Sequence, residues 1–370
     1  MMNKKIFASA SILSGTMIGA GILGMPYTFG KSGFLIGAFW LIILGVIIIF
    51  TDLCLGEITL RTKSKHQLVG YAKKYLGKTG EKIMFFAVTF GVYAALVAFL
   101  IGEGESLSQI LPWNLNPILY AFLFWIMLTI LLEGKIKELK KIETYDVLLI
   151  IILIAVLLAF SLNKINAENL LAINPQNFFV PIGVILFSLL GFVAIPEIRN
   201  VLSGNEKLMK KTIIFGAVIP IILYFIFCMI FVGIVGKNIP EVATLSFGDP
   251  AIIVGIFTML SAYLIISFSL KNTYKYDFKL PPTAVFFLSS VLPLAFYLTI
   301  EGLKIASFEK ILGIGGVISG GLTGIMILVI NYQSKKIGER KPEIKMPLGL
   351  ITIIILSLIF ISGIILEFLY

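Results

Sequence analysis

Apolar residues run through the chain in long blocks, separated by short polar clusters. Eleven blocks approach or exceed the roughly 20 residues that a helix needs to cross a bilayer. They cover residues 6–29, 33–60, 83–110, 117–132, 145–162, 178–202, 212–235, 251–270, 283–300, 312–331 and 347–368. Turn chemistry closes several of them, at Asn174-Pro175, Asp249-Pro250 and Pro281-Pro282. No soluble domain or long linker intervenes. Residues 1–370 therefore read as one all-α integral membrane domain of eleven transmembrane helices. Two polar stretches carry further expectations. Leu68, Tyr71, Ala72, Tyr75 and Leu76 repeat at helical spacing among lysines, which suits a short helix lying in the membrane interface or a solvated basic loop. Residues 241–250 are a candidate lid.

The first block breaks the pattern. Gly15, Gly19, Gly21, Gly24 and Pro26 stand where a spanning helix carries Leu and Ile. Glycine costs about 1 kcal/mol per helical position, and proline removes a backbone donor. A helix interrupted inside lipid frees amide N–H and C=O groups that must find other partners. Gly15 and Gly19 also have the spacing of close helix packing. Gly19 to Gly24 matches the dinucleotide fingerprint G-x-G-x-x-G, but no preceding strand or βαβ unit is present, so that reading is excluded. The sixth block is interrupted in the same way, with Gly191, Pro196 and Glu197 inside it. If helices one to five and six to ten form two halves, helices one and six occupy equivalent places. An odd number per half inverts the second half. Paired interruptions of this kind mark a transporter's midplane binding site. The first repeat then covers about 6–162 and the second about 178–331, with an extra C-terminal helix at about 347–368.

Composition narrows the class. The chain is 58% hydrophobic and 14% charged, with mean hydropathy +1.02, which no soluble domain of this length shows. A net charge of +10 would suggest nucleic acid in a soluble protein. Here it is read through loop placement, and no nucleic-acid partner is expected. With a cytoplasmic N-terminus, all basic residues except Lys31, Lys164, Lys237, Lys304 and Lys310 fall on the inside, including Lys4, Lys135, Lys137, Lys140 and Lys141. The C-terminus is then extracellular, in a multi-pass cell-membrane protein. Lys4 and Lys5 before an apolar run mimic a signal peptide, but the run is too long, so it is taken as a retained first helix. Cys54 and Cys228 lie within apolar blocks and are not expected to pair or bind metal. One histidine and two separated cysteines argue against an enzyme, and no phosphate-binding loop supports a primary pump.

The first-helix run Gly15-Thr16-Met17-Ile18-Gly19-Ala20-Gly21-Ile22-Leu23-Gly24-Met25-Pro26 resembles the signature of the amino acid/auxin permease family and its aromatic amino acid permease relatives, within the amino acid–polyamine–organocation superfamily. The resemblance implies the LeuT-type five-plus-five inverted repeat with discontinuous helices 1 and 6. The expected activity is secondary transport of amino acids by alternating access, with neutral or aromatic side chains weakly favoured. An uncoupled uniporter or channel, or a transporter-derived sensor, is the alternative.

Physical chemistry assigns the site residues. The N–H groups of Gly19, Ala20, Gly21 and Ile22 open a half-helix and suit a carboxylate. The carbonyls of Gly15, Thr16, Met17 and Ile18 close the other half-helix and suit a cation or an ammonium. Carbonyls near Phe187, Ser188 and Gly191 are candidates for the substrate's amino group. Tyr93 matches a position where relatives place a polar or aromatic contact, and an interhelical hydrogen bond is its other role. No organic cofactor is expected, and the coupling ion is Na+ or H+. Ser267 and Ser269 resemble the helix-eight stretch that forms a sodium site in relatives. Some proton-coupled relatives carry a lysine in helix five, and residues 145–162 have none. Asp52 is the candidate proton relay. Glu57 and Glu197 are expected in structural pairs, with Arg61, Arg199 or a nearby lysine among the candidate partners. Glu103 and Glu105 are expected at the outer surface.

Overall fold

A computed structural model describes residues 2–133 and 139–369, with side chains described except at 2–4, 139–147, 276 and 277. The expected connection bearing Lys135 and Lys137 lies outside the described residues, as do the side chains of Lys4, Lys140 and Lys141. Every regular element among the described residues is helical. Helices α1 (Met2–Met17) and α2 (Gly21–Ser32) form one apolar pair bent by 59° at the break between them. Then come α3 (Phe34–Arg61), α4 (Leu68–Ile110), α5 (Pro117–Glu133), α6 (Leu139–Ser161) and the short α7 (Ala167–Leu171). A second pair, α8 (Pro181–Ser188) and α9 (Ala194–Val201), flanks another break. The chain continues through α10 (Met209–Val235), α11 (Asp249–Asn272), α12 (Pro282–Phe286), α13 (Leu292–Leu303), α14 (Phe308–Gly315), α15 (Gly321–Ile337) and α16 (Leu350–Leu369).

Among the described residues, seven helical stretches are long and apolar enough to cross a membrane, and the bent pair α1–α2 makes an eighth. Helix α5 and residues 148–164 are apolar but shorter. Stretches of π-helix interrupt or extend three long helices, at Thr273–Asp277, Phe287–Val291 and Gly316–Gly320. A π turn displaces backbone carbonyls from the ladder. Two displaced groups are taken up by neighbours: Tyr93 Oη donates to Leu288 O at 2.8 Å, and Trp125 Nε1 to Ser290 O at 2.9 Å.

Helix α4 starts well before the third apolar block and bends at Gly77, whose φ of 69° only glycine adopts easily. The turns before Gly77 are the helix expected from the 68–76 periodicity. Their apolar face, with Leu68, Tyr71, Ala72 and Tyr75, is buried against the protein and not left to the lipid interface. The candidate lid holds a 3-10 turn at Ala243–Ser246 packed on α2 and α11, with the Phe247 ring tilted against Phe231, centroids 4.2 Å apart. Helix α10 holds the two broken pairs together: it lies against α1, α2, α3 and α9, while α2 lies on α8 and α1 on α9.

Candidate functional site

The two breaks meet face to face. Helix α1 ends at Met17 and α2 begins at Gly21; helix α8 ends at Ser188 and α9 begins at Ala194. The backbones touch where Gly21 faces Ser188: a Cβ on Gly21 would lie 2.8 Å from Ser188 Cα. At Gly191 a Cβ would meet only side-chain atoms, of Leu13 and Met17, which can move aside. Glycine is required at Gly21, because any side chain there would separate the two chains. Gly19 differs. Its missing Cβ would sit 3.4 Å from Phe99 Cζ and 3.8 Å from Ala262 Cβ, at ordinary contact distance.

Backbone accounting identifies what the breaks leave open. Among the described residues, the N–H groups of Gly19, Ala20 and Gly21 have no acceptor, and the carbonyls of Gly15, Thr16 and Ile18 have no donor. The Ile22 N–H donates to Gly19 O at 3.2 Å, so it is not one of the open donors the sequence suggests. In the second break the carbonyls of Phe187 and Gly191 accept from Leu190 N and Ala194 N. Ser188 O accepts from Tyr224. The carbonyls without donors there are those of Leu189 and Leu190, and the N–H groups of Gly191, Phe192 and Val193 have no acceptor among the described residues. Buried polar groups in native proteins are normally paired, so this concentration of open groups at one junction is a place for a polar guest.

One side chain joins the breaks. Tyr224, on α10 and fully buried, directs its hydroxyl at Met17 O (2.7 Å) and Ser188 O (3.1 Å). Sequence reasoning passed over it. Its signal was a tyrosine inside an apolar span, where a hydroxyl must find a partner. Phe99 and Ala262, which face Gly19, gave no signal at all. Phe99 packs edge-on to Tyr263, which also contacts Phe124, giving the Gly19 side of the junction an aromatic wall.

The remaining expected residues are placed as follows. Thr16 Oγ1 turns back to Ile12 O at 2.7 Å and Ser188 Oγ to Val184 O at 2.6 Å. Phe187 packs on Gly315 and Gly316. Tyr93 is engaged with Tyr274 and Leu288, in its interhelical role. Ser267 Oγ is buried without a hydrogen bond among the described residues, whereas Ser269 is exposed. Asp52 is fully buried with both carboxyl oxygens unpartnered. Glu57 pairs with Arg61 at 2.7 Å and also accepts from Asn331 Nδ2 and Met346 N. Glu197 accepts from Gln67 Nε2. Glu103 is a correction: it is fully buried, not at a surface, because α4 continues past it and α5, α11 and α14 cover that end.

The end of the bundle near Arg61 is closed by α9. Arg199 Nη2 donates to Thr62 O at 2.6 Å, and Arg199 Nη1 donates to Ser64 O at 3.3 Å. Glu339 extends the closure by accepting from Lys63 N at 2.7 Å and Lys74 Nζ at 2.6 Å. Burial holds the His66 imidazole, in this same connection, below its ordinary value; Lys74 and Arg199 act in the same direction and Glu339 opposes them.

Three comparisons with known proteins bear on the chain as a whole. Residues 2–257 match the profile of the tryptophan/tyrosine permease family. Tyrosine-specific transport system 1 of Haemophilus influenzae is 27% identical over 239 residues, 64% of this chain and 60% of that protein. Thus the alignment spans under two thirds of that relative's length. Glutamine transporter 2 of Aliivibrio fischeri is 24% identical over 342 residues, 86% of each chain. Among solved structures, a manganese transporter of Eremococcus coleocola, crystallised with an aromatic bis-isothiourea compound, superposes with TM-score 0.65 at 11% identity. That superposition covers 98% of this chain and 86% of that one. At such identity the likeness is one of fold.

Proposed function

From the chain's membership of the tryptophan/tyrosine permease family, we propose that it is a secondary active transporter of amino acids working by alternating access. The observation that carries this reading is the junction of two broken helices, each of which leaves N–H groups open where its second half-helix starts and carbonyls open where its first half-helix ends. A zwitterion matches that pair of opposite fields. Its carboxylate meets Gly19, Ala20 and Gly21 at the start of α2, where the helix dipole adds attraction. Its ammonium meets the carbonyls of Leu189 and Leu190 and those that end α1. Phe99 and Tyr263 offer an apolar wall to the side chain, which favours neutral or aromatic substrates. The relatives named above as tyrosine and glutamine transporters agree with that range.

The architecture proposed is a single domain of eleven crossings in a LeuT-type five-plus-five inverted repeat, within the amino acid–polyamine–organocation superfamily. Helices α1–α2 and α8–α9 are its discontinuous first and sixth spans, and α16 is the extra helix. The basic-residue bias orients the Arg61 end to the cytoplasm. Coupling is to Na+ or H+. The test is counterflow in proteoliposomes carrying the purified chain. Vesicles loaded with an unlabelled amino acid are expected to concentrate its labelled form from outside, with tyrosine, tryptophan, phenylalanine and glutamine tried first. No exchange of any amino acid would overturn the reading. Gradients of sodium and of pH, imposed separately, then identify the coupling ion. Uptake that only equilibrates the amino acid, with no accumulation under either gradient, would make the protein a uniporter.

A further inference from the structure

Glu103 is the buried acid that this mechanism leaves unused. It is on α4 with no exposed surface, and neither carboxyl oxygen has a hydrogen-bond partner among the described residues. It shares a helix face with Phe99, four residues earlier, whose ring lies against Gly19 in the first break. The rise of a helix puts Glu103 about 6 Å along α4 from Phe99. Ser106, one turn further on, is likewise buried and unpartnered. Ionisable residues inside a membrane domain are rare and mark ion or proton pathways.

We propose that Glu103 is the proton-carrying group that couples amino-acid movement to a proton gradient. The inference deepens the transporter reading and rests on it. A proton suits the surroundings better than a metal cation. Gly102 next to it faces Met259 and Phe308, and hard cations need several oxygen ligands, whereas a proton needs one. The ionisable groups around this end of α4 are Tyr120 on α5, Asp249 and Tyr263 on α11, Tyr297 and Glu301 on α13, Glu309 and Lys310 on α14, Glu241 in the connection before α11, and Glu105 on α4 itself. None of them bonds to Glu103. Asp52 is also buried and unpartnered, but it lies on α3, which packs on α8 and α9, and not on the helix whose Phe99 faces Gly19. Glu103 gains the proton as a carboxylate and releases it as the free acid, with no other bond made or broken.

Glu103→Gln keeps the shape and removes the titration. In proteoliposomes, accumulation driven by a pH gradient is expected to fall by about tenfold or more, while counterflow stays at the wild-type level. Asp52→Asn is expected to keep driven accumulation. A second readout needs no transport. The infrared carbonyl band of a protonated carboxyl should appear and vanish with pH in the purified wild type and be missing in Glu103→Gln. If that variant does not fold, Glu103→Asp is expected to retain coupling with a displaced pH dependence. Driven accumulation intact in Glu103→Gln, or lost in Asp52→Asn alone, overturns the proposal. Loss of counterflow in folded Glu103→Gln overturns it too, by assigning the carboxyl to substrate binding. Absence of counterflow in the wild type overturns the transporter reading itself and this proposal with it.

Discussion

A single hydroxyl proton serves two carbonyls at Tyr224, Met17 O and Ser188 O. One proton can satisfy only one of them fully, so the other keeps acceptor capacity for a guest. Tyr224→Phe removes the donor from both and leaves two buried carbonyls unpaired, at about 1–3 kcal/mol for each unsatisfied group. The expected result is a folded protein with lowered thermal stability and a substrate affinity weakened by about tenfold, read as a rise in KM with little change in maximal rate. Unchanged affinity would remove Tyr224 from the site. Glycines at the breaks separate in the same way. Gly21→Ala forces its methyl onto Ser188 and is expected to abolish binding, because the two backbones must part. Gly19→Ala adds a methyl that Phe99 and Ala262 can accommodate, and is expected to fold with near-normal stability. Equal stability of the two variants, by thermal unfolding in detergent, would contradict the geometry. Gly21 was legible in the sequence as a break residue. Its partner Ser188 was legible only as a candidate, since no single-sequence pattern reports which backbone lies opposite.

Alternating access needs one element to move, and α9 is the one held by side chains. Its Arg199 donates to main-chain carbonyls of the α3–α4 connection, and Tyr71 and Thr62 are enclosed beneath it. Hydrogen bonds to a charged group contribute about 1.5–3 kcal/mol each. Arg199→Ala is therefore expected to shift the population toward a state open at the Arg61 end. Cys54, buried on α3 with its carbonyl bonded to Asn331, reports the opening. Its alkylation by a membrane-impermeant thiol reagent should quicken in Arg199→Ala, and Arg199→Lys should restore part of the protection. Identical labelling rates would show that the contact does not hold the closed state. His66 adds pH dependence to this closure. Its folded value is lowered by burial, so as pH falls through about 6.5 the opened chain takes up the proton first. The closure is thus complete above that pH and weakens as pH drops toward the folded value. Thermal stability is expected to decline from about pH 7 to about pH 6, and to decline less in His66→Asn. Periodicity and turn residues made the long helices readable, because burial in lipid or core demands unbroken apolar runs. The Arg199 contacts were not readable, because the acceptors are backbone carbonyls 135 to 137 positions away, which carry no residue signature.

At the scale of the whole chain, the junction joins four half-helices that belong to two distant stretches of sequence, packed on one another and on α10 with open backbone groups between them. A ligand placed there supplies the missing partners and ties all four together, so it binds the folded bundle and not the unfolded chain. Such a ligand stabilises by RT ln(1 + [L]/Kd), about 2.7 kcal/mol at one hundred times Kd. Thermal unfolding of the detergent-solubilised protein should therefore rise with the concentration of its amino acid and hardly respond to others. The pattern across a panel carries the chemistry. Removing the carboxylate, as in an amine analogue, costs the interaction with Gly19, Ala20 and Gly21; removing the ammonium costs the carbonyl contacts. Both analogues are expected to lose the shift, whereas trimming the side chain only reduces it. A shift produced as well by an amine or a carboxylic acid alone as by the zwitterion would mean that the open N–H and C=O groups are not read as a pair. The same panel on Tyr224→Phe separates site from scaffold, because a scaffold defect lowers the unliganded midpoint alone, while a site defect also flattens its rise with ligand.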